Sequence, residues 1–308
     1  MVPYWFMGSG DFGRLCLVGL LSRQTPTLVI SAPSRPAGRG LRLRETPVAR
    51  EAVERGLPLH LSPKVNSDDD LLRRFDDERP QVIIVVDFGQ MIGEPYLSTP
   101  PWGCLNAHPS LLPLYRGAAP LQRALMAGDK ETGISVFRLV PAMDAGPILA
   151  QSREGIENHE SYGHLLARLA PKGGILLQKV LELLEEGLAC PKEQDHAKAT
   201  FAPVIRKEEC PIRWIRTARE IACQVRALNP SPGTYALMRG RRLKIWQVDV
   251  VDGAGEPGSF LEPREGRAVV ACGRGALALG EVQPEGGKRL EGTLWWRGLD
   301  LGKGESLS

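Results

Sequence analysis

Over residues 1–189, short apolar runs alternate with segments whose apolar positions recur at helical spacing. Residues 3–7 and 81–86 are apolar at nearly every position, the pattern of strands buried on both faces of a parallel sheet. The intervening pattern predicts helices at 14–21, 46–55 and 67–77 and strands at 27–32 and 57–61; Thr46 offers an N-cap hydroxyl and Pro47 suits the first helical position. Beyond them, 103–105 reads as a short strand, 118–127 as a helix, and 133–139 and 147–154 as strands around a loop. Residues 161–186 have the period of one long amphipathic helix, broken around Pro171 to Gly174. Strands alternating with helices predict an α/β domain of Rossmann-like, doubly wound form, mostly parallel, with antiparallel strands at its edge.

The alternation then stops. Residues 189–211 have no period and carry Pro191, Pro203 and Pro211, so the expected organisation is a first domain over 1–189, a linker over 190–210 and a second domain over 211–308. In the second domain a helix at 217–228, ended by Asn229-Pro230, precedes strand-like runs at 234–238, 243–251, 267–272 and 276–283, separated by glycine turns. Short strands at that spacing predict a small antiparallel barrel. Trp246, Trp295 and Trp296 suit packing there, or stacking on a base, and the polar tail from Gly298 is expected to fray.

Composition narrows the class. The chain has 308 residues, 43% hydrophobic and 24% charged, with no apolar run long enough to span a bilayer and no basic, small-residue leader at its start. A cytoplasmic location is therefore expected, with no membrane attachment and no obligate protein partner evident. Six cysteines stand singly with no CxxC pair, and His159-Glu160-x-x-x-His164 misses metal-ligand spacing by one residue, so no metal is expected. Net charge is +3 but uneven: residues 206–308 hold 17 Lys/Arg against 13 Asp/Glu, and the remainder 22 against 23. That bias suits a polyanion or, more simply, a solvated basic face.

The densest chemistry lies in Cys104-Leu105-Asn106-Ala107-His108-Pro109-Ser110-Leu111-Leu112-Pro113-Leu114-Tyr115-Arg116-Gly117. A strand entering a Pro- and Gly-containing turn delivers an amide, an imidazole and a hydroxyl within five residues. Alternation points Asn106 and His108 to one face and Ala107 to the other, at a strand end where open α/β sheets bind ligands. An amide beside an imidazole suits a tetrahedral oxyanion: the first donates a fixed hydrogen bond, the second donates or moves a proton. Asp144, in a loop bounded by Pro141 and Gly146, is the candidate carboxylate to orient the imidazole and favour its charged form. The same residues also suit a satisfied core histidine and a turn-forming aspartate.

Asn106-x-His108, Ser110-Leu111-Leu112-Pro113-x-Tyr115-Arg116-Gly117 and Asp144-x-Gly146 together resemble the signature of the folate-dependent formyltransferases, which move a formyl group from 10-formyltetrahydrofolate to an amine. Three further features resemble the branch of that family acting on initiator methionyl-tRNA: Arg35-Pro36-Ala37-Gly38-Arg39-Gly40, Lys207-Glu208-Glu209 and Asn229-Pro230-Ser231-Pro232-Gly233. The resemblance implies direct amine attack through a tetrahedral intermediate, with Asn106, His108 and Asp144 as catalytic residues. It implies folate contacts at Phe88, Gly89, Gln90, Met91, Ile92 and Ser110, much of them through backbone. The folate is a cosubstrate and no cofactor is permanently bound. Arg39 matches the family's tRNA-binding loop by motif and Arg42 and Arg44 by charge, with Lys207 as a further tRNA contact. The barrel becomes an OB-like tRNA-binding fold.

Three positions depart from the pattern. Gly10 stands where Pro is usual, Asp87 where a small apolar residue is usual, and Arg213 where Asp is usual. Asp87 either disturbs the folate pocket's edge or acts as a capping carboxylate. The competing readings are a formyltransferase with an amino-sugar or glycinamide-ribonucleotide acceptor, and a formyltetrahydrofolate hydrolase. An NADP-dependent oxidoreductase would rest on Gly8-x-Gly10-x-x-Gly13 with Arg35. A non-catalytic tRNA-binding module is the reading from a different class.

Overall fold

The computed structural model describes residues 2–37, 42–300 and 305–308. Arg39, the motif arginine of the basic loop, lies outside them. The chain forms two compact units: residues 1–117, 131–155 and 166–202 make the first, and 118–130, 156–165 and 203–308 the second.

The first unit is built on a seven-stranded sheet. In chain order its strands are β1 (Tyr4–Gly8), β2 (Leu28–Ser31), β5 (Leu59–Leu61), β6 (Val82–Val86), β7 (Cys104–His108), β8 (Glu131–Arg138) and β9 (Ile148–Gly155); β3 (Arg35–Ala37) and β4 (Arg42–Arg44) form a separate ribbon. The sheet order is β5-β2-β1-β6-β7-β8-β9. The first five are mutually parallel, while β7–β8 and β8–β9 pair antiparallel. Both β1 and β6 are buried along their whole length, as their continuous apolar sequences require, and β6 lies between two parallel neighbours. Helix α1 (Asp11–Leu20) follows β1, α2 (Pro47–Glu54) precedes β5, and α3 (Asp69–Glu78) precedes β6. Thr46 caps α2 through Ala49 N–H, as its sequence predicts. Trp5, Phe75, Ile83, Tyr96 and Cys104 share one core beneath α3.

The basic loop is not open chain. Arg35 pairs with Arg44 and Pro36 with Leu43 in an antiparallel ribbon, because the extended conformation that Pro36 imposes suits a strand as well as a loop. After α4 (Pro120–Ala127) comes α5 (Tyr162–Glu185), which runs unbroken through Pro171 where a break was expected. Close packing compensates the lost backbone bond. A Cβ on Gly174 would meet the Cys16 carbonyl oxygen at 2.3 Å, the Cys16 thiol donates to Ala170 O at 3.0 Å, and Gln178 Nε2 donates to Leu20 O at 2.7 Å.

In the second unit, α6 (Ala218–Leu228) starts at a reciprocal cap between Thr217 and Glu220. It packs Ile221 and Val225 on a sheet of β10 (Thr234–Met238), β11 (Arg241–Val251), β12 (Phe260–Arg264), β13 (Arg267–Ala271), β14 (Ala276–Pro284) and β15 (Leu290–Glu291), with α7 (Gly292–Arg297) after it. All pairs are antiparallel in the order β10-β11-β14-β13-β12, with β15 on β14. The sequence pattern missed β12, which carries Pro263 and is mostly exposed. Among the described residues the hydrogen-bonded path runs from β10 to β12. Trp295 is in the core; Trp246 is buried between the Arg289 guanidinium, 3.9 Å from its ring centroid, and the Lys244 ammonium, 4.9 Å from it. Of the tail expected to fray, residues 301–304 lie outside the described residues, and residues 307–308 are held: Leu237 exchanges backbone bonds with Ser308, and Leu307 is buried. Among the described residues no helix is long and apolar enough to cross a membrane.

Candidate active site

Strand β7 sits where the sheet changes direction. It pairs parallel with β6, Asn106 opposite Val85, and antiparallel with β8, His108 opposite Ser135. Its carboxyl end therefore opens beside the end of β6, where the chain leaves the sheet as Asp87-Phe88-Gly89-Gln90-Met91-Ile92. Asn106 and His108 face one side, while Ala107 packs towards Gly173 of α5. The Asn106 carboxamide is half-buried and has no hydrogen-bond partner among the described residues.

His108 is buried and meets Phe137 edge-on. Its Nε2 lies 2.8 Å from Tyr115 O, an acceptor, so Nε2 carries the proton. Nδ1 then presents a lone pair 3.8 Å from Asp144 Oδ2. Asp144 pulls the imidazole towards its charged form, the direction expected from the sequence. Burial lowers the His108 pKa below its ordinary value, and the opposing pull of Asp144 and the Tyr115 carbonyl does not reverse it. Burial thus biases the imidazole towards its neutral form, and Asp144 stands where it favours the charge the ring acquires on taking up a proton.

Two loops are fixed against each other to create that distance. Asp144 adopts a left-handed backbone (φ 48°), and its Oδ2 accepts from Gly117 N–H at 2.7 Å. Gly146 permits the turn, since a Cβ there would lie 1.8 Å from Arg138 O. Gln194 clasps both loops: its Nε2 donates to Asp144 O at 2.9 Å and Gly146 O at 2.7 Å, while its Oε1 accepts from Arg116 Nη2 at 2.6 Å. Thr200 adds a bond from Tyr115 N–H to its hydroxyl at 2.8 Å. Sequence reasoning missed Gln194 and Thr200, which lie in the unpatterned linker; nothing in their local sequence distinguishes them from surface residues. Ser110 is fully buried and turns its hydroxyl onto Leu114 O at 2.6 Å, so its side chain braces the loop and does not line the cleft.

The loop after β6 is held by its side chains and leaves backbone exposed. Phe88 is in the core; Gln90 bonds Val65 N–H at 3.0 Å and Ser62 O at 2.9 Å; Asn66 bonds Met91 O at 2.9 Å and Gly93 N–H at 3.0 Å. Met91 projects into solvent, 81% exposed. Arg44 is exposed on its ribbon, and Lys207 is exposed in the short 3-10 turn Lys207–Glu209 of the second unit, where Glu209 forms an ion pair with Arg123.

Asp87, with φ 50°, closes the loop's near end. Its carbonyl accepts from Ser9 N–H and Gly10 N–H, both at 3.0 Å, and its carboxylate lies at the start of α1, where the N–H groups of Phe12 and Gly13 favour its charged form. That placement at the helix start suits the capping alternative. These N–H groups are the donors with which a glycine-rich turn would hold a pyrophosphate, so Asp87 fills the site the oxidoreductase reading requires.

Residues 6–181 match the formyl transferase family, and residues 204–300 match its C-terminal domain. The chain is 39% identical to a methionyl-tRNA formyltransferase of Methylobacillus flagellatus over 302 residues, 97% of each chain. It is 40% identical to one of Thermus thermophilus over 302 residues, 98% of each. An N-formyltransferase of Helicobacter canadensis, solved with folinic acid and dTDP-3-aminofucose, aligns with a TM-score of 0.66 at 15% identity over 91% of this chain and 99% of that one, a likeness of fold.

Proposed function

The chain belongs to the formyl transferase family, and we propose that it transfers the formyl group of 10-formyltetrahydrofolate to the α-amine of initiator methionyl-tRNA. The observation that carries the chemistry is the His108–Asp144 relation: an imidazole whose Nε2–H is tied to Tyr115 O, with Nδ1 free to accept a proton beside a carboxylate. The amine nitrogen attacks the formyl carbon, and the carbonyl π electrons move to oxygen. Asn106 donates a hydrogen bond to that oxyanion. His108 Nδ1 takes the proton leaving the attacking nitrogen, and Asp144 stabilises the imidazolium. As the intermediate collapses, the bond from the carbon to folate N10 breaks and the proton passes to N10.

The backbone of Phe88 to Ile92 suits recognition of a flat heterocycle with several donors and acceptors, and we assign it to the folate's ring system. The arginine ribbon, with Arg44 and by sequence Arg39 and Arg42, together with Lys207, supplies cations for an RNA backbone. The antiparallel second unit is read as the OB-like part that binds tRNA, and the cytoplasm as the place of action.

The test is formylation of charged initiator and elongator tRNAs in parallel by purified protein with 10-formyltetrahydrofolate. Formyl-methionine on the initiator alone, lost in His108→Ala, supports the reading. Folate binding without transfer to either tRNA overturns the acceptor.

A further inference from the structure

We propose that Asp87 and Gly10 act as one unit that positions the folate-binding loop, an inference that rests on the function proposed above. Asp87 is the last residue before Phe88-Gly89-Gln90-Met91-Ile92, and its left-handed backbone turns the chain out of β6 two residues past Val85, the partner of Asn106. Where that loop begins is fixed by two bonds from Ser9 and Gly10 N–H to the Asp87 carbonyl, and by its carboxylate lying over position 10 at the start of α1, where the N–H groups of Phe12 and Gly13 favour its charge. A helix start provides several free N–H groups, and a carboxylate from a neighbouring strand end satisfies them while tying the two elements together.

Gly10 makes this possible. A Cβ at position 10 would lie 1.8 Å from Asp87 Oδ2 and 2.4 Å from its Cγ, so any side chain there excludes the carboxylate. Gly10 itself has φ −84° and ψ −178°, a conformation open to ordinary residues. The glycine is therefore required by the space Asp87 occupies and not by backbone conformation. The two departures from the resembled pattern, separated by 76 positions in the chain, are one substitution in space. Asp87 is a positioning residue: it acts on the folate through the backbone of 88–92.

The test is a double-mutant cycle read by calorimetric titration with 5-formyltetrahydrofolate and by steady-state formylation. Asp87→Ala is expected to weaken folate binding, and to raise KM for 10-formyltetrahydrofolate, about tenfold, the size of one lost charge-assisted hydrogen bond. The kcat at saturation and the KM for methionyl-tRNA should stay within about twofold, a split that simple loss of folded protein does not produce. Asp87→Asn, which keeps an acceptor oxygen, should restore most of the affinity. Gly10→Ala should weaken folate binding in the native background and have little effect in Asp87→Ala. Unchanged folate affinity in Asp87→Ala, or equal Gly10→Ala costs in both backgrounds, overturns the inference. Absence of folate binding by the native protein overturns the functional reading instead.

Discussion

His108 and Asp144 face each other across 3.8 Å, the imidazole through Nδ1 and the carboxylate through the same Oδ2 that accepts from Gly117 N–H. Burial lowers the imidazole's pKa and the carboxylate raises it, with burial the larger effect. A base must be unprotonated to act, so the acid limb of kcat/KM should lie below the ordinary histidine pKa of about 6.5. Asp144→Asn removes the opposing charge. Its acid limb should move to still lower pH while the plateau falls by about 10²–10⁴-fold, because the imidazolium is no longer stabilised. A limb that moves upward in the variant would contradict this balance; a pH–rate profile of each protein decides it.

Gln194 is the clasp behind that geometry. Replacing it with leucine leaves the buried Arg116 guanidinium without its Oε1 acceptor and the carbonyls of Asp144 and Gly146 without their shared donor. Unsatisfied buried groups of this kind cost about 1–3 kcal/mol. Denaturant unfolding of Gln194→Leu should register that loss. Its kcat should also fall more than its folate KM rises, since the Asp144 loop is displaced and the 88–92 loop is not.

What the sequence made legible follows periodicity and local chemistry. The all-apolar runs at β1 and β6, the Thr46 cap and the shared face of Asn106 and His108 are local properties, and the structure has them as expected. Gln194 was illegible because its function depends on two loops that approach only in the fold. Pro171 misled because helix propensity is local, whereas the contact with α1 that sustains the helix is not. The pull of Asp144 on His108 was legible because the carboxylate is visible in sequence, whereas the opposing effect of burial was not.

That helix contact gives its own prediction. Gly174→Ala introduces a Cβ 2.3 Å from Cys16 O and 2.8 Å from Gly19 Cα, both backbone atoms with no freedom to yield. In a surface helix the change would be stabilising, because alanine has the higher helix propensity. Here it should destabilise the protein by about 1–3 kcal/mol as an overpacked core does. A thermal melt distinguishes the two signs.

Asp87 carries the last prediction. Its residue is reachable by solvent, yet protein surrounds the carboxyl closely enough that desolvation raises its pKa from 3.8 to about 6, with Asp11 adding repulsion and the N–H groups of Phe12 and Gly13 opposing. Burial and, less strongly, the charge of Asp87 raise the pKa of the Cys16 thiol, so it stays neutral across this range. For a carboxyl raised on folding, the stabilising contribution is complete below the unfolded pKa of 3.8 and is lost as pH climbs through about 6. The native protein should therefore lose part of its Tm between those two pH values, and Asp87→Asn, which cannot ionise, should not. If the two Tm curves run parallel over that interval, the carboxyl titrates at its ordinary value. The carboxylate's contact with the start of α1 would then be free of the desolvation cost assigned to it here.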